Sequence, residues 1–160
     1  MKKYILVIDQ GTTSSRILVI NKLAKIVYSD YIEINIKQLK NGEVLQNPKE
    51  ILSSVNNLIK RTFSNTNIKP TEIDSIGRTN QRETTIIWDK TTNEPISDAI
   101  SWQSNHTSYI TNEWINKGYK DLVQTKTGLL INPYFSASKI KHILLNNNTK
   151  DKNLDFGTID

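Results

Sequence analysis

The sequence predicts an α/β fold, a mixed sheet with flanking helices, and three observations predict it. Two unbroken apolar runs, residues 4–8 and 17–20, stand on either side of a short polar turn, as expected of strands buried on both faces. Residues 25–36 then place Ile26, Tyr28, Ile32, Ile34 and Ile36 in alternation with polar residues, the pattern of a half-exposed third strand. Asn47-Pro48-Lys49-Glu50 supplies a cap, a proline at the first helical position and a glutamate three residues after the cap, a capping-box arrangement. The helix it opens carries Ile51, Leu52, Val55, Leu58, Ile59 and Phe63 at helical spacing, which predicts that all six are buried.

The remaining elements follow in order. Residues 73–79 form another apolar strand, 84–88 a further strand, 89–95 a polar loop and 96–102 an extended segment. Helices are expected over 107–117, pairing Ile110 with Trp114 and ending at Gly118, and over 119–127, ending at Gly128. Ser136 is a candidate cap for a last helix carrying Ile140, Ile143 and Leu144, and residues 146–153 form a surface loop. Three strands, an amphipathic helix and then an apolar strand are the opening of a ribonuclease-H-like, or actin-like ATPase, domain, here incomplete. No internal repeat and no linker marks a second domain.

At 160 residues and 36% hydrophobic, the chain is long enough to bury one core of its own. No apolar stretch approaches the roughly 20 residues that span a bilayer, and no signal-peptide pattern precedes the first strand, so a cytoplasmic location is expected. The absence of cysteine agrees with that compartment and excludes disulfides, thiolate nucleophiles and cysteine-based zinc sites. His106 and His142 are far apart in sequence and each stands alone, which predicts no metal role for either. The net charge of +5 comes from lysines spread along the whole chain, without a dense basic run or an aromatic-interleaved stripe, so no nucleic-acid partner is expected.

Chemistry concentrates first in Asp9-Gln10-Gly11-Thr12-Thr13-Ser14-Ser15-Arg16. Asp9 is a carboxylate able to face Mg2+, Gly11 lets backbone N–H groups approach an anion, Thr12, Thr13 and Ser14 add hydroxyl donors, and Arg16 can fork onto phosphate oxygens. The same residues also make an ordinary hairpin, because Asp, Gly, Thr and Ser are turn residues for conformational reasons alone. Only 4 of the 21 basic residues are arginine, so finding one in this turn tilts the reading toward phosphate. A Walker-type loop is excluded: no Gly-Lys-Ser/Thr follows, and the turn leads into a strand.

The second concentration is Thr79-Asn80-Gln81-Arg82-Glu83-Thr84-Thr85, where Arg82 and Glu83 are neighbours at the junction of two strands. Neighbouring side chains on a strand point to opposite faces unless the backbone bends, and a bend here would turn both onto one site. A guanidinium beside a carboxylate suits a polyhydroxylated substrate, because each hydroxyl both donates and accepts. A solvated surface pair is the alternative.

Taken with Trp102-Gln103, Thr127-Gly128-Leu129, Pro133-Tyr134-Phe135-Ser136 and Phe156-Gly157-Thr158-Ile159-Asp160, these two segments resemble, in order and along the whole chain, the N-terminal part of the glycerol kinase family of carbohydrate kinases. The phosphate turn is shared across the wider carbohydrate kinases and chaperone ATPases, whereas the Asn-Gln-Arg-Glu-Thr segment with Pro-Tyr-Phe-Ser is specific to glycerol kinases. The resemblance implies transfer of the ATP γ-phosphate to the 3-hydroxyl of glycerol, with Mg2+ as the bridging ion. It implies that Asp9 faces the metal through water, that Thr12, Thr13 and Ser14 hold nucleotide phosphates, and that Arg16 offsets their charge. It assigns Arg82, Glu83 and Tyr134 to the glycerol hydroxyls and Trp102 to an apolar wall against the glycerol carbons.

The chain also departs from the family. The aspartate that serves as general base, and the second domain that closes over adenine, lie beyond the matched segment, so no catalytic base is assigned and residues 1–160 are read as the truncated N-terminal part of the first kinase domain. Arg78 stands where an apolar residue is usual, and an unpaired charge on a buried strand face would cost several kcal/mol. Ser104-Asn105-His106 follows Trp102-Gln103 where arginine is usual, and Leu45 replaces a glutamate. The expectations left open are a glycerol kinase whose remaining part is carried elsewhere, on the same or a companion chain, a non-catalytic remnant of a split gene, or another actin-like nucleotide-binding module.

Overall fold

The computed structural model describes residues 2–150 and 152–159. In chain order the elements are β1 (Tyr4–Gln10), β2 (Ser14–Asn21), β3 (Ile26–Glu33), β4 (Lys37–Gln38), β5 (Val44–Gln46), α1 (Pro48–Ser64) and, after a 3-10 turn at Pro70–Glu72, β6 (Ile73–Asn80). They continue as β7 (Thr85–Asp89), β8 (Glu94–Pro95), β9 (Ala99–Ile100), α2 (Ser108–Asn116), α3 (Lys120–Thr127), α4 (Ser136–Asn146) and β10 (Leu154–Thr158). They divide into two compact units, one formed by the chain up to Asn35 with Asn47–Gln81, the other by Ile36–Gln46 with Arg82–Ile159. No linker-like composition marks the three crossings, which is why the sequence showed none.

The first unit is a four-stranded mixed sheet in the order β3-β2-β1-β6, with β6 parallel to β1 and the other pairs antiparallel. Its core is Leu6, Ile17, Val19 and Leu58, so α1 packs on one face of the sheet. The outer face is partly exposed, Ile5 among it, so the first two strands are not buried on both faces as their apolar runs suggested. One helix covers one face, and the second apolar row of β1 and β2 has no such cover among the described residues of this unit.

Helix α1 begins where its cap predicts. The Asn47 Oδ1 accepts from the N–H groups of Lys49 at 2.9 Å and Glu50 at 3.4 Å. Glu50 does not return the bond to the cap; its Oε1 accepts from the backbone and side-chain nitrogens of Asn35. The buried stripe is Ile51, Ser54, Leu58 and Thr62, and Leu52, expected inside, is exposed. At 100° per residue Leu52 lies a quarter-turn from that stripe, while Ser54 and Thr62 lie on it and stay inside by bonding helix carbonyls. Likewise Ile26 is exposed, because the β2–β3 register shifts between Val19 and Ile20.

Arg78 carries no burial penalty. Among the described residues β6 pairs only with β1, and Arg78 is exposed on that edge strand.

The second unit is an antiparallel sheet ordered β10-β7-β9-β5-β4, with β8 pairing β7, over a core of Ile87, Ile100 and Ile143. Leu45, the apolar replacement noted above, packs against that core. The short strands β4, β5 and β8, and β10, were not expected from the sequence, whereas β9 falls within the extended segment expected over 96–102. Gly128 takes φ of 73°, the left-handed conformation expected of a glycine ending α3. Ser136 is the first residue of α4 and not its cap, since its hydroxyl is used elsewhere, as described next.

Candidate active site

The polar turn between β1 and β2 is held at three points. The Gly11 N–H donates to the Ser14 carbonyl at 2.9 Å, and a Cβ at Gly11 would stand 3.1 Å from that oxygen, so the tight approach favours glycine. The Ile34 N–H donates to the Thr13 carbonyl, tying the turn to the end of β3. Below the turn, two buried amides brace it: the Gln81 N–H donates to the Gln10 carbonyl at 2.7 Å and Gln81 Nε2 to Gln10 Oε1 at 3.3 Å. This pair was missed in the sequence, where neither glutamine was given a role.

Alternation along β2 sends Ser15, Ile17 and Val19 inward, with Ser15 Oγ 2.7 Å from Ser54 Oγ, and so sends Ser14 and Arg16 to the other face. Asp9 lies directly opposite Arg16 in the β1–β2 register and shares that face. Asp9, Ser14 and Arg16 form no side-chain hydrogen bond or ion pair with any described residue. Thr13, Ser14 and Arg16, with Tyr31, Glu33 and Ile34, line an open cleft of about 330 Å3. A free carboxylate, a free guanidinium and hydroxyls around a glycine turn are donors and charges suited to a phosphate with a hydrated divalent cation, so the residues present fit that group.

In the second unit the backbone does bend at Arg82-Glu83. Glu83 has φ of 63°, a conformation rare for a non-glycine residue and worth about 1–3 kcal/mol of strain. Three side chains hold it: Lys139 Nζ donates to the Glu83 carbonyl at 3.1 Å, Thr85 Oγ1 donates to the same oxygen at 3.1 Å, and the Ser136 hydroxyl donates to Glu83 Oε2 at 3.1 Å. Lys139 also donates to the Tyr134 carbonyl. The Tyr134 ring meets Trp102 edge-on, centroids 6.2 Å apart, and the Trp102 N–H is held by Thr84 Oγ1. Glu83, Tyr134 and Trp102 are therefore brought into one cluster. Arg82 is exposed and has no polar contact with a described residue.

Lys139 is the member of this cluster that the sequence concealed. It is fully buried, and burial pushes its ammonium down to about 8, with the nearby Glu83 charge opposing the shift. Its position in an amphipathic helix reads as solvated surface, and only the carbonyls converging on it show otherwise.

The two histidines do not stand alone. Their rings lie 4.4 Å apart, edge to face, and both Nε2 atoms face Glu43. Residues far apart in sequence meet because the β4–β5 hairpin, the segment before α2 and helix α4 converge there.

Among the described residues no helix is long and apolar enough to cross a membrane. Residues 4–160 match the N-terminal domain of the FGGY family of carbohydrate kinases. Glycerol kinases of Bacillus cereus (strain G9842) and Bacillus anthracis (strain A0248) are each 48% identical over 165 aligned residues, covering 100% of this chain and 33% of theirs. The crystal structure of Plasmodium falciparum glycerol kinase with ADP superposes with a TM-score of 0.87 at 33% identity, over 98% of this chain and 32% of that one. A gluconate kinase from Lactobacillus acidophilus superposes at 0.84 with 24% identity, over 99% of this chain and 32% of that one, a likeness of fold alone. The chain spans about a third of the length of the curated relatives it matches.

Proposed function

The chain belongs to the FGGY family of carbohydrate kinases, and from that premise we propose that it supplies the phosphate-binding turn and the polyol-binding cluster of an ATP-dependent glycerol kinase. The observation that carries the reading is Glu83, held in a left-handed bend by Lys139 and Thr85 and oriented at its carboxylate by Ser136. Strain held by three dedicated bonds is expected at a ligand clamp and has no purpose in a plain strand junction.

In this reading ATP would supply the phosphoryl group and Mg2+ positive charge to offset its phosphates. Asp9 orients water on the metal, Thr12, Thr13 and Ser14 donate to phosphate oxygens, and Arg16 offsets their charge. Glu83 accepts from a glycerol hydroxyl while Arg82 and Tyr134 donate to others, and Trp102 covers the carbon side. The chain's own contribution is thus positioning and electrostatic stabilisation. Residues 1–160 act in this reading as the N-terminal part of the first kinase domain. The general base and the adenine-closing domain come from sequence outside these residues, in the same polypeptide or a companion chain. The glycerol identity draws on 48% identity to the Bacillus enzymes along the whole chain.

The test joins this chain to the C-terminal two thirds of a Bacillus relative and measures both substrates. Arg82→Ala and Glu83→Gln each remove a charge-assisted hydrogen bond worth about 1.5–3 kcal/mol, so the KM for glycerol should rise roughly 10- to 100-fold while that for ATP changes little. Equal damage to both constants would remove the assigned roles.

A further inference from the structure

The β4–β5 hairpin carries Glu43 at its turn, directly after Gly42, whose φ is 82°. The turn is seated on residues 104–106: the Asn105 N–H donates to the Gly42 carbonyl at 3.2 Å and the Val44 N–H to Ser104 Oγ at 2.9 Å. From that seat Glu43 Oε1 lies 3.4 Å from His106 Nε2 and 4.0 Å from His142 Nε2, the latter on α4. One ligand atom from each of the three residues lies within 4.8 Å of the other two. The His106 side chain is only 5% exposed, and its Nε2 is buried without a hydrogen bond.

The surrounding bonds assign the proton on His106. Ser104 Oγ accepts from Val44, donates to the Gly42 carbonyl at 3.4 Å and lies 2.7 Å from His106 Nδ1. All three contacts are satisfied together when Nδ1–H donates to Oγ, which leaves Nε2 as a bare lone pair facing a carboxylate oxygen. Two electron-rich atoms so placed repel unless a cation lies between them. His142 is held at its Nδ1, which lies 3.1 Å from the Tyr109 hydroxyl and 3.4 Å from Asn146 Nδ2. A hydroxyl behind each Nδ1, with Nε2 forward, is how supporting residues orient histidine ligands.

The two edges from Glu43 suit a tetrahedral ion. Bonds of about 2.0–2.2 Å set ligand atoms roughly 3.3 Å apart, so the 3.4 Å pair already complies and the 4.0 Å pair closes with a side-chain shift of less than about 1 Å. We propose that Glu43, His106 and His142 bind a divalent cation of the zinc class, with the fourth position open to water. The proposal rests on nothing in the kinase reading.

Metal-free chain is titrated with Zn2+ against a chromophoric chelator, and with Co2+, whose visible absorption strengthens on entering a four-coordinate site. The expected result is one equivalent per chain, weakened by Glu43→Gln and by His142→Ala by more than the about 10- to 100-fold that loss of a supporting residue costs. His106→Ala empties a buried position, so should it unfold, His142→Ala decides: Zn2+ should raise the thermal midpoint of the wild-type chain and leave that of the folded variant in place. Undiminished binding in Glu43→Gln and His142→Ala, or no stoichiometric uptake by the wild-type chain, overturns the proposal.

Discussion

Lys139 illustrates how one residue can set local geometry at an electrostatic cost. Its folded value near 8 lies below the ordinary 10.5, so between those limits the unfolded chain binds more protons than the folded one. The resulting stabilisation is fully present above about 10.5 and is lost as the pH falls through about 8. Lys139→Met should therefore flatten the rise in unfolding free energy between pH 8 and 10.5, a rise on the order of a few kcal/mol, measured by urea titration at several pH values. The difference between the two chains isolates this residue from the other lysines and tyrosines, which titrate alike in both. The residue scale is also where the sequence was least legible. The bend at Arg82-Glu83 could be anticipated from two strands meeting there, but Lys139, Ser136 and the Gln10–Gln81 brace act through contacts that no local pattern encodes. His106 and His142 are an extreme case, since their meeting depends on three separate elements folding.

At the scale of elements, helix α1 shows how far local chemistry reaches. Asn47 and Pro48 gave its start correctly, and the apolar spacing gave Ile51 and Leu58 of its buried stripe, because a cap and a 3.6-residue period are written within a few residues. Asn47→Ala should lower stability by about 1 kcal/mol, readable as a shift in the urea midpoint at constant slope. What failed was Leu52, since a hydrophobic residue at the margin of the stripe cannot be placed by its neighbours alone. The two- and three-residue strands β4, β5 and β8 failed for a related reason: they are too short to carry a period and exist only through their partners.

For the whole molecule, the mixed sheet with flanking helices was legible from the order of elements, and the family relationship from motifs strung along the chain. The division into two compact units was not, because the chain crosses between them at ordinary residues. Among the described residues β6 has one unpaired edge and presents Ile76 at 63% exposure, while Leu52, Leu145 and Phe156 are also exposed. An open strand edge that carries an exposed apolar side chain favours pairing between copies. The isolated chain should self-associate with rising concentration in sedimentation velocity, and Ile76→Lys should shift that association upward by roughly tenfold in concentration, or about 1.4 kcal/mol.

The β4–β5 hairpin also imposes an order on synthesis. Leu45 pairs with Ile100, so the hairpin leaves the ribosome about 55 residues before the strand that completes its edge. At roughly 5–20 residues per second that is an interval of about 3–11 s, during which β5 has no sheet to join. The first unit, meanwhile, can close as soon as β6 has emerged. A slow codon stretch between Gln81 and Ala99 would lengthen the hairpin's exposure without touching the first unit, which makes this turn, and the glutamate it carries, the last part of the early sequence to find its place.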